Sequence, residues 1–334
     1  MSADPSLHSE EAIIQGFLAP LAAGAPGAFE LKDDCATAAP SAGCEFVLKT
    51  DAIAEGVHFL ATDRPEDIGW KALAVNVSDL AAKGATPVGY LMSLAFPTAP
   101  TREWMSGFAS GLAQAQRAFG IHLLGGDTDR RPGPISITPA VFGEVPVGRM
   151  VRRATAQASD FVCVTGTLGD SGLGLRLQQD RTLADKWNLS AAQAKYLRIR
   201  YLRPSPRLAL RDSLLRHARA SMDISDGLMK DLGRMCRASG IGARIDYTSL
   251  PLSDAFKAVR NADPAAAEAS LFAGDDYEIL TAIPPERMPQ YKAEALVAGI
   301  EVTDIGMFTV PITIQLRDSD DNEVQTSKSG WDHF

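Results

Sequence analysis

Aspartates in this sequence stand where apolar segments end. Asp51 follows Phe46-Val47-Leu48-Lys49-Thr50, Asp127 follows the run from Ile121 to Gly126, and Asp223 and Asp226 flank Ser225 where a strand passes into a helix. Asp33-Asp34 precedes a strand, and Asp275-Asp276 follows Ala273-Gly274 just before another. Asp79 lies inside a helix otherwise rich in Ala, Leu and Val, and shares a face with Asn76 and Lys83 at spacings of three and four. Aspartate enters apolar elements mainly when it is paired or bound to a cation. Taken singly, each has an ordinary reading: Asp226 as a helix N-cap, Asp127 as a turn residue, Asp275 and Asp276 as a solvated loop. Taken together, converging carboxylates repel one another and call for a neutralising cation. Hard oxygen ligands without a His/Cys set point to Mg2+ or a similar ion rather than zinc.

Magnesium held by a few carboxylates is usually completed by substrate phosphates, so a nucleoside triphosphate is the natural partner. The P-loop pattern GxxxxGK[ST] and the protein-kinase motifs are absent. Gly166, Gly169, Gly172 and Gly174 follow the strand Phe161–Thr165 without GxGxxG spacing and read as a tight strand–helix turn.

The elements that must position these groups follow from periodicity. Ser9 caps a helix carrying Ile13, Ile14, Phe17, Leu18 and Leu21, and a Gly/Pro/Ala-rich stretch ends it. Phe46 to Leu48 reads as a buried strand, and Ile68 to Lys83 as a buried helix stopped by Gly84 and Pro87. Further strands are expected at 121–124, 135–142, 161–165 and 277–282, and helices from about Ser171, over 181–202, over 207–217 and from Asp223-Ile224-Ser225-Asp226 through Cys236. Strands and helices mix without strict βαβ alternation, which gives an α+β fold class. The boundary falls in the polar stretch 149–159, giving domains 1–150 and 151–334.

Composition narrows the function classes. Of 334 residues, 46% are hydrophobic and 22% charged, the balance of a globular protein large enough for two domains. The formal net charge is −8 and no Lys/Arg-rich run occurs, which argues against nucleic acid as a partner. No run approaches the roughly 18 apolar residues of a membrane span. The acidic N-terminus is not a signal peptide. Four cysteines without CxxC spacing read as reduced thiols of a cytoplasmic protein.

Taken in order, these segments resemble the thiamine-monophosphate kinase family, within the superfamily of aminoimidazole ribonucleotide synthetase. The matching stretches include Asp33-Asp34-Cys35-Ala36, Thr50-Asp51 through Glu55-Gly56-Val57-His58-Phe59, Lys71 to Ala82, and Gly125-Gly126-Asp127-Thr128. They continue through Gly143 to Arg149, Thr165 to Ser171, Leu202 to Arg207, Asp223 to Leu228, Ala273 to Glu278 and Trp331 to Phe334. The resemblance implies an N-terminal α/β domain whose sheet pairs with that of a second subunit, and a C-terminal α+β domain. It also implies ATP with several Mg2+ ions near the domain junction, thiamine monophosphate as acceptor, and a homodimer. Matched position by position, it gives metal roles to Asp34, Thr50, Asp51, Asp79, Asp127, Asp223 and Asp226. Gly126, Asp127, Arg149 and Ser225 take nucleotide roles, and His58, Asp275 and Trp331 take the thiamine phosphate side.

The chemistry is compatible with direct in-line transfer, because an acceptor phosphate oxygen is already a nucleophile near neutral pH and no general base is needed. Two readings stand for His58, a substrate contact or a surface-loop histidine, and two for Trp331, ring stacking or a packing anchor. The stretch Val88 to Phe96 and the strand 135–142 are the candidate dimer seam. Departures from the family pattern are Leu31-Lys32, Lys49 in place of Ser or Thr, Asp129 in place of Thr, and Asp275 in place of Glu. Lys49 either points into the aspartate cluster or turns to solvent or the seam. The alternatives in function are another ATP-dependent enzyme of the superfamily and a nucleotide-binding regulatory protein without turnover.

Overall fold

The computed structural model describes residues 7, 9–324 and 330–331 of the chain. It divides into two compact units, Met1–Leu80 with Ala85–Gly148, and Ala81–Gly84 with Arg149–Phe334.

In the first unit Ser9 caps α1 (Glu10–Ile13), a π-turn over Ile14–Leu18 follows, and α2 (Ala19–Ala22) completes the N-terminal helical segment. The remaining elements are β1 (Cys44–Thr50), β2 (Ile53–Ala54), α3 (Pro65–Ala82), β3 (Thr86–Phe96), α4 (Arg102–Phe119), β4 (His122–Arg130) and β5 (Ser136–Pro146). The sheet runs β1-β5-β3-β4 with β2 also on β5. All pairs are antiparallel except β3 with β4, the pair joined by the crossover helix α4. Burial of Ala72, Leu73, Val77 and Leu80 accounts for the apolar composition of α3. Gly84 ends the turn after α3 at a φ of 73°, whereas Pro87 belongs to β3 and does not serve as a stop. Helix α4 starts on a Thr101 side-chain cap and ends on left-handed Gly120, with Met105, Phe108, Leu112 and Ala115 buried along one stripe.

Two expectations change here. Strand β1 is not buried throughout: Val47 is buried while Leu48 is 65% exposed, because only one face of the strand is covered. Asp127 does not end a strand or sit in a turn, since β4 continues through Gly125-Gly126-Asp127 to Arg130, paired with β3.

The second unit contains β6 (Phe161–Thr165), α5 (Asp170–Gln179), α6 (Leu183–Lys186), α7 (Ala191–Leu202), α8 (Arg211–His217), β7 (Ala220–Ile224), α9 (Leu228–Ser239) and β8 (Gly242–Asp246). It continues with α10 (Asp254–Ala262), α11 (Pro264–Leu271), β9 (Glu278–Ile283), α12 (Met288–Val297), β10 (Val302–Thr309) and β11 (Ile314–Arg317). Its sheet runs β11-β8-β10-β6-β9-β7, with only β11 and β8 parallel. Strand alternation feeds two cores. Val162, Val164, Leu280 and Ala282 enter one, and Cys163, Ile279 and Ile283 the other, which is why β6 and β9 read as continuous apolar runs. The charged helical region splits into α6 and α7 at left-handed Asn188, and a Ser190/Gln193 capping box starts α7. The fold is α+β with two units. Among the described residues no helix is long and apolar enough to cross a membrane.

Candidate functional site

The first unit carries a cleft of about 1080 Å³ lined by Asp34, Thr50, Gly126 and Asp127 together with apolar Leu48 and Phe142. Four residues that the sequence singles out therefore share one cavity. Gly126 is required by packing: a Cβ there would lie 1.9 Å from the Met92 carbonyl oxygen on the paired strand. The Thr50 hydroxyl donates to the Pro139 carbonyl at 2.9 Å, which leaves its oxygen lone pairs and its own carbonyl as ligand atoms.

Strand alternation sends the neighbouring Lys49 towards α3, not to solvent. Its Nζ lies 2.9 Å from Asp51 Oδ2 and 2.9 Å from Asp79 Oδ2. Burial opposes the ammonium charge, but the Asp79 and Asp51 carboxylates outweigh it and hold the lysine pKa above its ordinary value. Fully buried Asn76 fixes the turn after β1: its Oδ1 accepts the Asp51 N–H at 2.7 Å, and its Nδ2 donates to the carbonyls of Asp51 and Ala72 at 3.1 Å. His58 Nδ1 accepts the Ala54 N–H at 3.0 Å, so the neutral ring carries its proton on Nε2. Lys71, almost fully buried, donates to the His58 carbonyl at 2.9 Å and pins that loop from α3.

In the second unit the segment after β7 is the organising point. Asp223 is the penultimate residue of the strand and is buried. Asp226 is not the helix N-cap: Gly227 occupies that place, and Asp226 pairs with Arg234 and, at 3.5 Å, with Lys230. Asp231, in the first turn of α9, instead ties down the loop before the helix, its Oδ2 accepting the Ser225 N–H at 3.1 Å and the Asp226 N–H at 2.9 Å. Burial pushes the Asp231 pKa up, against the lowering effect of the Asp226 amide and of Arg234.

The 273–277 loop docks onto the same segment through Asp275 N–H to the Ser225 carbonyl and Tyr277 N–H to the Ile224 carbonyl, both 2.8 Å. Gly274 permits this approach, because a Cβ would meet the Ser225 oxygen at 2.5 Å and its φ is 92°. Asp275 and Tyr277 hold left-handed backbone at φ 62° and 50°, and the Tyr277 hydroxyl donates to Asp275 at 3.1 Å. Asp276 is not solvated but 2% exposed, taking the Gly169 N–H on both oxygens at 3.0 Å. Trp331 donates its N–H to the Asp226 carbonyl at 2.9 Å, accepts from Lys230, and leaves its ring about half exposed. Ser225, Asp226, Asp275 and Trp331 are thus adjacent. Arg149 donates to the Leu215 carbonyl at 3.0 Å.

The donor set fits a hard divalent cation. Its side chains offer carboxylate and hydroxyl oxygen, and three of the carboxylates already face a cation: Asp51 and Asp79 the Lys49 ammonium, and Asp226 the Arg234 and Lys230 side chains. Among the described residues no three His, Cys, Asp or Glu side chains form a ready-made cage. Mg2+ characteristically takes one or two carboxylates and completes its shell with water and phosphate oxygens. Asp231 and Arg234 escape a motif reading as supporting residues, whereas Asn76 is marked in the sequence by its place on the Asp79 face of α3. Local spacing carries part of the signal, with Lys230 and Arg234 one turn apart on α9 and both facing Asp226 just before the helix.

Comparison with known proteins bears on this arrangement. The family model for the AIR synthase related protein, N-terminal domain, matches residues 32–145, and that for the C-terminal domain matches residues 157–312. A thiamine-monophosphate kinase from Caulobacter vibrioides is 37% identical over 327 residues, covering 96% of this chain and 89% of its own. The chain belongs to the thiamine-monophosphate kinase family. Within that family, the crystal structure from Stenotrophomonas maltophilia K279a superposes with a TM-score of 0.78 at 36% identity, covering 88% of this chain and 91% of that one. The structure of AaThiL complexed with AMPPCP and TMP superposes with a TM-score of 0.77 at 33% identity, covering 90% and 91%.

Proposed function

We propose that this protein phosphorylates thiamine monophosphate with ATP, giving thiamine diphosphate. The observation that carries the reading is likeness to thiamine-monophosphate kinases over nearly the whole chain, including a relative that holds AMPPCP and TMP together. The difficulty in such a reaction is the mutual repulsion of two anionic phosphates, not the nucleophilicity of the acceptor oxygen. Asp34, Thr50, Asp51, Asp79, Asp127, Asp223 and Asp226 would hold Mg2+, which when bound neutralises phosphate charge and orients the transferred group. Gly126, Asp127, Arg149 and Ser225 bind the nucleotide. His58, Asp275 and Trp331 contact the acceptor: His58 offers an Nε2 proton, and the Trp331 ring a surface for an aromatic heterocycle. The residues position both phosphates and exclude competing geometries, with direct in-line transfer and no covalent intermediate.

The reading assigns metal and nucleotide binding and dimerisation to residues 1–150, and the α+β partner domain to residues 151–334. A homodimer is supported by the open apolar face of the first sheet, where Leu48 is 65% and Leu91 38% exposed. Most of Val88–Phe96 is buried within its own unit, so the seam shifts towards β1 and the middle of β3. ATP supply and four free thiols support the cytoplasm as the place of action.

The test is incubation with ATP, Mg2+ and thiamine monophosphate, followed by chromatography. Thiamine diphosphate must appear in proportion to enzyme; ATP hydrolysis without that product would overturn the assignment.

A further inference from the structure

Lys49 is the member of the acidic cluster that the transfer chemistry does not call for. Its ammonium lies between two carboxylates, 2.9 Å from each, which leaves the three side chains with one net negative charge where the aspartates alone would carry two. The arrangement is built, not incidental. Thr50 is anchored on Pro139, Asn76 clamps the Asp51 main chain, and Asp79 projects from buried α3, so each participant has a fixed origin.

We propose that Lys49 is a resident cation that takes the position of one divalent ion between Asp51 and Asp79. Binding Mg2+ there requires the ion to shed water, which it does reluctantly, whereas the tethered ammonium is in place before any ligand arrives. An incoming divalent ion also meets the lysine charge within a few ångströms. The consequence is that this enzyme binds one divalent ion fewer per chain than the same protein without the Lys49 charge. Divalent ions that arrive with the nucleotide would still bind, because its phosphates would supply oxygen ligands beyond what a carboxylate pair offers. The inference rests on the metal roles given to Asp51 and Asp79 under the proposed function.

The test counts bound Mn2+ by electron paramagnetic resonance and calorimetry on the full chain with AMPPCP. Wild type is compared with Lys49→Thr, Lys49→Met and Lys49→Arg, each checked for an unchanged circular dichroism spectrum. Lys49→Thr and Lys49→Met are expected to hold one additional Mn2+ per chain, with affinity at that position raised by about tenfold or more once the like charge is gone. Lys49→Arg, which keeps the charge, should match wild type. Methionine preserves the aliphatic stem, so a folding failure of the threonine variant would not blunt the test. Mn2+ titrations that superimpose for wild type and both neutral variants would overturn the proposal. None of these measurements needs turnover, so a failure of thiamine diphosphate formation remains separately visible.

Discussion

Replacing Glu278 by alanine removes an anion that two guanidinium groups share. Glu278 is fully buried, Arg200 Nη2 lies 2.8 Å from its Oε1, and Arg207 Nε donates to its Oε2 at 2.7 Å. The Thr165 hydroxyl completes the set at 2.6 Å. Arg200 is itself buried, its side chain 10% exposed, so loss of Glu278 strands a charge in a region of low polarity. Breaking a buried pair by deleting one partner costs about 3–5 kcal/mol, more than an exposed ion pair ever contributes. At roughly 2–4 °C per kcal/mol for a unit of this size, the melting temperature should fall by about 6–20 °C. Glu278→Gln keeps the shape and one acceptor, and should lose about 1.5–3 kcal/mol, the range of hydrogen bonds to charged groups. The functional consequence follows from Arg200, whose Nη2 also donates to the Asp276 carbonyl at 3.0 Å and so braces the left-handed turn presenting Asp275. The glutamine variant should therefore raise KM for thiamine monophosphate more than it lowers kcat. Urea denaturation followed by circular dichroism, with steady-state kinetics on the same preparations, reads both effects. A Glu278→Ala protein within 1 kcal/mol of wild type would refute the reasoning, as would a glutamine variant less stable than the alanine one.

Asp51→Ala and Asp127→Ala should each lower kcat by about 100-fold or more, the scale of several kcal/mol of lost phosphate charge stabilisation, with the folded spectrum retained; full activity in either folded variant contradicts the metal assignment. Sedimentation at micromolar concentration should give twice the 35.6 kDa chain mass, and a single species at the chain mass would remove the dimer. Burial holds the Asp276 carboxyl well above the usual value of 3.8, so the native state keeps its proton where the unfolded state has lost it, and stability declines as pH rises above about 4. Asp276→Asn removes that slope. Its stability relative to wild type should grow between pH 4 and 7 in urea denaturation, and a pH-independent difference would show that burial does not control this group.

What the sequence made legible was governed by distance along the chain. The Ser9 cap, the apolar run of α3 and the strands β6 and β9 are local patterns, and each appears within a few residues of its expected place. Helix α4 carried an equally local signal, Thr101 before a 3–4-spaced apolar stripe and Gly120 after it, yet it lay outside the segments bearing aspartates. Strand β4 shows why Asp127 misleads: Gly125-Gly126 looks like a turn, but Gly126 is there because the β3 backbone at Met92 passes too close for a Cβ. The Glu278 cluster was out of reach for a different reason. Its members Thr165, Arg200 and Arg207 are separated from Glu278 by 113, 78 and 71 residues, and no periodicity relates them. Lys49 falls between these cases. Alternation along β1 allows two directions, and only the position of Asp79 on α3 decides between them, turning an odd residue beside a motif into the cation that the motif holds.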